Sequence, residues 1–183
     1  MLFIYFLILL VCLIISIFFV LFFLAEIVAI FTTDAPFVPI PEETLEKIIE
    51  NLKLDNNSIL YDLGCGDARV LQKMVEKYPN IKSVGIEIAF VPYILARLKT
   101  RKNKNIQIKR QNIFSADVSD ATHIFVYLYP EVMEKLMPML EKKCWKGTLV
   151  ISCDFEDKNR KPTEIIHLDT LAKRGKRLIV YRL

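Results

Sequence analysis

Two styles of hydrophobic patterning divide this chain. Residues 2–25 carry no charge, and only Tyr5 and Ser16 interrupt them with hydroxyls. As a helix rising about 1.5 Å per residue they span about 36 Å, enough for a hydrocarbon core of about 30 Å. Beyond residue 41 the apolar positions come in short periodic groups. Leu45, Ile48, Ile49 and Leu52 fall at helical spacing behind Pro41 and two glutamates, so a helix is predicted over residues 42–54. Asp55-Asn56-Asn57 marks a turn. Strands are predicted over 58–61, 83–86, 105–109, 122–128 and 147–153, and helices over 69–75, 91–98 and 131–143. Residues 164–168 and 177–181 read as a closing hairpin. The expected fold class is α/β, a Rossmann-like seven-stranded sheet preceded by one transmembrane helix. Three segments follow: an anchor over 1–31, a proline-rich segment over 32–41, and a globular domain over 42–183.

The chemistry concentrates at the first strand–helix turn, Tyr61-Asp62-Leu63-Gly64-Cys65-Gly66-Asp67-Ala68-Arg69. Glycines there let the backbone take positive φ and let a ligand lie against it. Glu87 ends the next apolar run, 21 residues after Gly66. A carboxylate so placed accepts hydrogen bonds from the two hydroxyls of a ribose. A dinucleotide fingerprint needs its third glycine where Arg69 stands, which weakens a NAD reading. No Lys-Ser or Lys-Thr follows at Walker spacing, which excludes a P-loop. Asp-x-Gly-x-Gly with a later acid resembles the S-adenosylmethionine site of class I methyltransferases. Carboxylates such as Asp62 and Asp67 suit a ligand carrying a sulfonium and an ammonium. Ala68 replaces that motif's usual third glycine, a mild departure if its φ stays negative. In this fold the loop after the third strand meets the adenine, so Asn112 is placed to bond the base edge and Ile113 or Phe114 to pack on it. The expected cofactor contacts are Asp62, Gly64, Cys65, Gly66, Asp67, Glu87, Ile88, Asn112 and Ile113. For Asn112 a plain turn asparagine is the competing reading.

Ligands of open α/β sheets sit beyond the carboxyl ends of the strands. That brings Tyr127-Leu128-Tyr129-Pro130 and Asp154-Phe155-Glu156 toward the glycine turn, on the side of a methyl acceptor. Tyr129 and Asp154 are the catalytic candidates: Tyr129 to hydrogen-bond an amine, Asp154 or Glu156 to attract an ammonium. The competing readings are a core tyrosine and a solvated turn.

Composition sharpens the division. The chain has 183 residues, is 53% hydrophobic and carries a net charge of +4. The apolar N-terminus has no Lys or Arg before it and no clear cleavage site, so an uncleaved anchor is expected rather than a signal peptide. Lys47 and Lys53 on its other flank put the domain on the cytoplasmic side. Cys12, Cys65, Cys144 and Cys153 show no metal or CxxC spacing, and His123 and His167 are far apart; no metal site is expected. Residues 97–110 hold Arg97, Lys99, Arg101, Lys102, Lys104, Lys109 and Arg110 and no acid. That block reads as a solvated face or as a contact for anionic lipid headgroups. No aromatic residue interleaves with it, which argues against nucleic acid. The segment Thr32 to Pro41 has three prolines and should be extended and stiff, with Phe37, Val38 and Ile40 seeking burial.

Taken together, Ala35-Pro36-Phe37-Val38-Pro39-Ile40-Pro41, the glycine turn, Val84-Gly85-Ile86-Glu87 and Asp117-Val118-Ser119-Asp120-Ala121-Thr122 resemble small archaeal protein-lysine methyltransferases. They are also similar to the mitochondrial relatives that modify the ATP synthase c-subunit and the adenine nucleotide translocase. The resemblance runs from about Ala35 to Leu183. It implies S-adenosyl-L-methionine as cofactor, a protein lysine at or near a membrane as acceptor, and a proline segment, here Pro39 to Thr44, folded over the site. Relatives vary at Tyr127 to Pro130. A lipid or small lipophilic acceptor, or a cofactor-binding scaffold without turnover, are the alternatives.

Overall fold

The computed structural model describes residues 1–32 and 39–183. The chain separates into two compact units, Met1–Pro36 and Phe37–Leu183. The described part of the first holds one helix, α1 (Leu2–Thr32), which runs past the predicted end of the apolar stretch. Its window Leu2–Ala25 has a mean hydropathy of 3.5 and none of it is buried in protein. Length and composition suffice to cross a membrane; a signal sequence shares both. The expected burial of Phe37 and Val38 lies outside the described residues.

The second unit is the predicted sheet. Its strands are β1 (Ile59–Leu63), β2 (Lys82–Glu87), β3 (Ile106–Arg110), β4 (His123–Val126), β5 (Leu149–Cys153), β6 (Glu164–His167) and β7 (Arg177–Arg182). Their order is β3-β2-β1-β4-β5-β7-β6. The first five are parallel; β7 runs antiparallel to β5 and to β6, so the closing hairpin forms as expected. The central strands are covered on both faces, so Leu60 to Leu63 and Ile124 to Val126 are buried without alternation. From β1 the chain steps outward through β2 and β3, then returns to the other side of β1 for β4. This reversal opens a crevice beyond the carboxyl ends of β1 and β4, the place where such sheets take ligands.

The helices are α2 (Glu42–Asn51), α3 (Arg69–Lys77), α4 (Phe90–Thr100) and α5 (Pro130–Lys143). α2 stops three residues short of the predicted 54, with Leu52 as its C-cap. α3 buries Val70, Leu71, Met74 and Val75, and α5 buries Val132, Met133, Leu136, Met137 and Leu140, one stripe each at helical spacing. α4 differs: it buries only Ala96 and Thr100.

Candidate active site

β1 carries Asp62 to the crevice and then breaks at Gly64, whose φ is +83°. The amides of Gly64 and Cys65 both donate to the Ile86 carbonyl, at 2.9 and 3.0 Å, which folds the loop over the end of β2. A Cβ on Gly64 would stand 3.1 Å from Leu128 Cδ2. The glycine loop and the segment after β4 are therefore in direct contact. Gly85, on β2, is a requirement the sequence analysis did not recognise. A Cβ there would meet Cys65 Sγ at 2.7 Å and Leu71 and Ile108 methyls at 2.9 Å. A lone glycine within an otherwise Val- and Ile-rich strand was the available signal.

Glu87 is buried at the end of β2 and fixes the loop. Its Oε2 accepts from the Gly66 amide at 2.9 Å and its Oε1 from the Ala89 amide at 2.8 Å. Each oxygen keeps acceptor capacity for a second donor, as a ribose diol requires. Asp62, 3% exposed, has an Oδ2 with no hydrogen-bond partner among the described residues. Burial, then the charges of Glu87 and Asp67, push its pKa up to about 8. A buried acceptor without a donor is costly, and a cationic ligand would relieve it. These two carboxylates, one orphaned and one half-used, fit an ammonium and a ribose of the same molecule.

Asp67 is occupied within the protein. Arg69 Nε and Nη2 reach its oxygens at 2.9 and 3.0 Å, and Lys99 pairs with it from α4. Burial raises its pKa, but Arg69 and Lys99 outweigh that and hold it at about 2. Its carboxylate thus holds the loop to α4, which is a different duty from the cofactor contact expected of it. Arg69 also donates to the Ile40 carbonyl at 3.0 Å, tying the end of the proline segment to the loop. Thr44 donates to the Arg174 carbonyl at 3.3 Å, and Glu43 accepts from the Leu171 amide at 2.9 Å. Ile40 to Thr44 is clamped between the start of α3 and the β6–β7 connection.

Ala68 does not meet the condition under which it is a mild departure: it sits at φ +62°, in the left-handed region, as the N-cap of α3. Its methyl is fully buried. Beyond β3, Asn112 caps a short 3₁₀ turn, Ile113–Ser115, its Oδ1 accepting from the Phe114 amide at 2.9 Å. That is the turn asparagine of the competing reading; only its amide NH₂ stays uncommitted. Ile113 is half-buried, and Ile88 is 41% exposed next to Glu87.

Across the crevice an aromatic cluster forms beyond β4 and β5. Tyr127 stacks on Phe155 with centroids 5.7 Å apart, and Tyr129 tilts against the same ring at 5.5 Å. Burial, and then nearby Cys153 and Asp154, push the Tyr127 hydroxyl up to about 12. Asp154 is not presented as a free carboxylate. Its Oδ2 accepts from the Gly175 amide and its Oδ1 from the amides of Lys176 and Arg177. Arg177 further donates to the Asp154 carbonyl at 3.0 Å and to Glu156 at 2.9 Å. Asp154 takes φ +63° to make these bonds. It latches the β6–β7 connection to the end of β5, an occupation that argues against the ammonium contact expected of it.

No cluster of His, Cys, Asp or Glu suited to a metal occurs among the described residues. The family described as ANTKMT methyltransferase domain matches residues 62–164. A protein-lysine N-methyltransferase of Saccharolobus islandicus is 34% identical over 142 residues, covering 76% of this chain and 88% of the relative. A tRNA (guanine-N(7)-)-methyltransferase of Clostridium tetani is 34% identical over 87 residues, but covers only 46% of this chain and 41% of that protein. Among solved structures, an RNA methyltransferase of Salinibacter ruber in complex with S-adenosyl-L-homocysteine superposes with a TM-score of 0.72 at 29% identity. The match covers 79% of this chain and 93% of that one.

Proposed function

We propose, from the premise that this chain belongs to the ANTKMT methyltransferase family, that it methylates a protein lysine presented at a membrane to which α1 anchors it. The chain is an S-adenosylmethionine-dependent methyltransferase. The observation that carries the lysine reading is the aromatic cluster. Tyr127, Tyr129 and Phe155 stand beside Leu128, which touches the glycine loop at Gly64. A lysine side chain fits such a slot: its methylenes pack on the rings, and its ammonium is attracted by their faces.

S-adenosylmethionine, when bound, supplies a methyl group already activated by the sulfonium. Asp62 takes the ammonium of that molecule, and Glu87 its ribose hydroxyls, with the Gly64 and Gly66 backbone against it. On the other side the aromatic walls admit the acceptor ammonium. The loss of water there outweighs the attraction of the ring faces, so its pKa falls and it gives a proton to solvent to become the neutral amine. Tyr129 orients that amine through its hydroxyl; Asp154 positions the wall by latching the β6–β7 connection. Holding acceptor and donor in line supplies most of the rate. The domain works on the cytoplasmic side, where its cofactor is made available.

The test is labelled-methyl transfer by the full-length protein in native membranes, with protein, lipid and RNA separated before counting. Label on protein, located at lysine by mass spectrometry, is the expected result. Label confined to lipid or to RNA would overturn the lysine reading and leave methyl transfer standing.

A further inference from the structure

α4 is an ordinary crossover helix by position but not by surface. Its apolar residues Val91, Ile94, Leu95 and Leu98 are 51%, 37%, 43% and 55% exposed. At 100° per residue they form one stripe within a third of the helix circumference, opposite the buried Ala96 and Thr100. Single exposed aliphatic residues are normal, but four aligned on one helix are not.

The flanks carry charge of one sign. Arg97 and Arg101 border the stripe on one side, and Lys102 and Lys104 continue it past the helix end. All four are exposed, and none pairs with a carboxylate among the described residues. Arg97 bonds the Tyr93 hydroxyl at 3.1 Å, which leaves its charge uncompensated. Lys99, by contrast, is spent on Asp67. An apolar stripe bordered by long unpaired cations is the surface of a helix lying in a lipid interface. The aliphatic side chains enter the acyl boundary while the lysines and arginines reach up to headgroup phosphates.

We propose that α4 docks flat on an anionic bilayer, as a second contact besides α1. This rests on the reading that the chain resides at a membrane, which α1 supports independently by its length and hydropathy. The charge is complementary to anionic headgroups, and unpaired cations repel a second copy of the same face. Docking there has a consequence for the site. α4 begins three residues after Glu87, and Ile88 is exposed between them. The bilayer would therefore lie along the rim of the cofactor crevice, and acceptor lysines would be taken from the headgroup layer.

The experiment uses the full chain reconstituted in vesicles, with Leu98→Trp in a Trp145→Phe background. Trp145 is the sole native tryptophan and is exposed, so one indole then reports from the stripe. Binding of S-adenosyl-L-homocysteine checks that the fold is kept, and Leu95→Trp replaces Leu98→Trp if it is not. Expected is blue-shifted emission, quenched by brominated acyl chains, in phosphatidylcholine vesicles containing phosphatidylglycerol. Both signals should be lost in pure phosphatidylcholine and in the added variant Arg97→Gln, Arg101→Gln, Lys102→Gln, Lys104→Gln. A chain that co-floats with anionic vesicles but shows an unquenched indole would overturn the docking and leave the anchor intact. So would a blue shift that follows protein concentration and ignores brominated lipid, the mark of a protein contact. A quenched indole on a chain that high salt strips from the vesicles would overturn the anchor and leave the docking.

Discussion

The two halves of the crevice are built from different materials. On the β1–β2 side the ligand would meet backbone, with two buried carboxylates behind it, Asp62 and Glu87. On the β4–β5 side it would meet three aromatic rings whose frame is set by a latch, Asp154 to Gly175, Lys176 and Arg177. The first half is pinned by hydrogen bonds from the glycine loop to the end of neighbouring β2. The second is pinned from the connection that comes back from edge strand β6 into β7, beside β5. An invariant ligand suits the first construction, and a variable acceptor suits the second.

Glu87→Ala should give the largest effect. It removes a predicted ribose acceptor and frees the amides of Gly66 and Ala89. Losing hydrogen bonds to a buried charged group costs about 1–3 kcal/mol, or roughly five- to 150-fold in affinity. Calorimetry with S-adenosyl-L-homocysteine measures it. Unchanged affinity would mean that the carboxylate serves only the loop.

The acceptor half should respond in the opposite register. Tyr129→Phe is expected to lower kcat, by about tenfold for one lost orienting hydrogen bond, with cofactor affinity untouched. Asp154→Ala should raise KM as well, because the latch sets the whole wall. Steady-state kinetics on both variants separates these, since an interaction made mainly in the transition state shows in kcat. Equal loss of cofactor affinity in either variant would erase the distinction between the halves.

How much of this difference the chain displays in its letters follows from the range of the interactions. The glycine turn was readable because it lies within one strand–turn–helix unit. The place of Glu87 was readable because a carboxylate closes the next apolar run, although its bond to Gly66 spans 21 residues. Asp67 looked like a ligand of the cofactor because nothing local shows that Lys99, 32 residues on, comes back to it. Asp154 looked like a free acid for the same reason: its partners lie more than twenty residues away. Residues 91–98 were readable as a helix, but not that Val91, Ile94, Leu95 and Leu98 stay exposed on it. Periodicity tells that residues share a face, not which way the face is turned. The strand order was the other missing element, since only pairing decides that β7 inserts between β5 and β6.

A pH series sharpens the cofactor half further. Asp62, raised to about 8 by burial and by Glu87 and Asp67, is mostly protonated at pH 7 in the free protein. A bound ammonium favours the carboxylate, so binding should release a proton and tighten as pH rises from about 6 to about 8, then level off. The gain is bounded by tenfold per pH unit. Calorimetry in buffers of different ionisation enthalpy counts the proton. The unliganded fold should behave inversely: the raised pKa means that stability present below 3.8 is lost as pH climbs through about 8. Binding that is flat with pH would remove Asp62 from the ammonium's site.

The smallest effect tests how close the loop is to its best sequence. Ala68 holds φ +62° with its methyl fully buried. The left-handed region costs an L-residue roughly 1–2 kcal/mol, a cost glycine escapes. Against that, Ala68→Gly loses one buried methyl, worth about 0.8 kcal/mol, and gains entropy in the unfolded chain, which opposes folding by a few tenths. The terms leave a net gain between about 0 and about 1 kcal/mol. Urea denaturation with an unchanged slope measures that difference. Cofactor affinity should not move, because the backbone shape is the same with either residue. If Ala68→Gly is instead destabilising by more than about 1 kcal/mol, the buried methyl outweighs the strain. The alanine is then a packing residue of the cofactor half rather than a strained substitute for glycine.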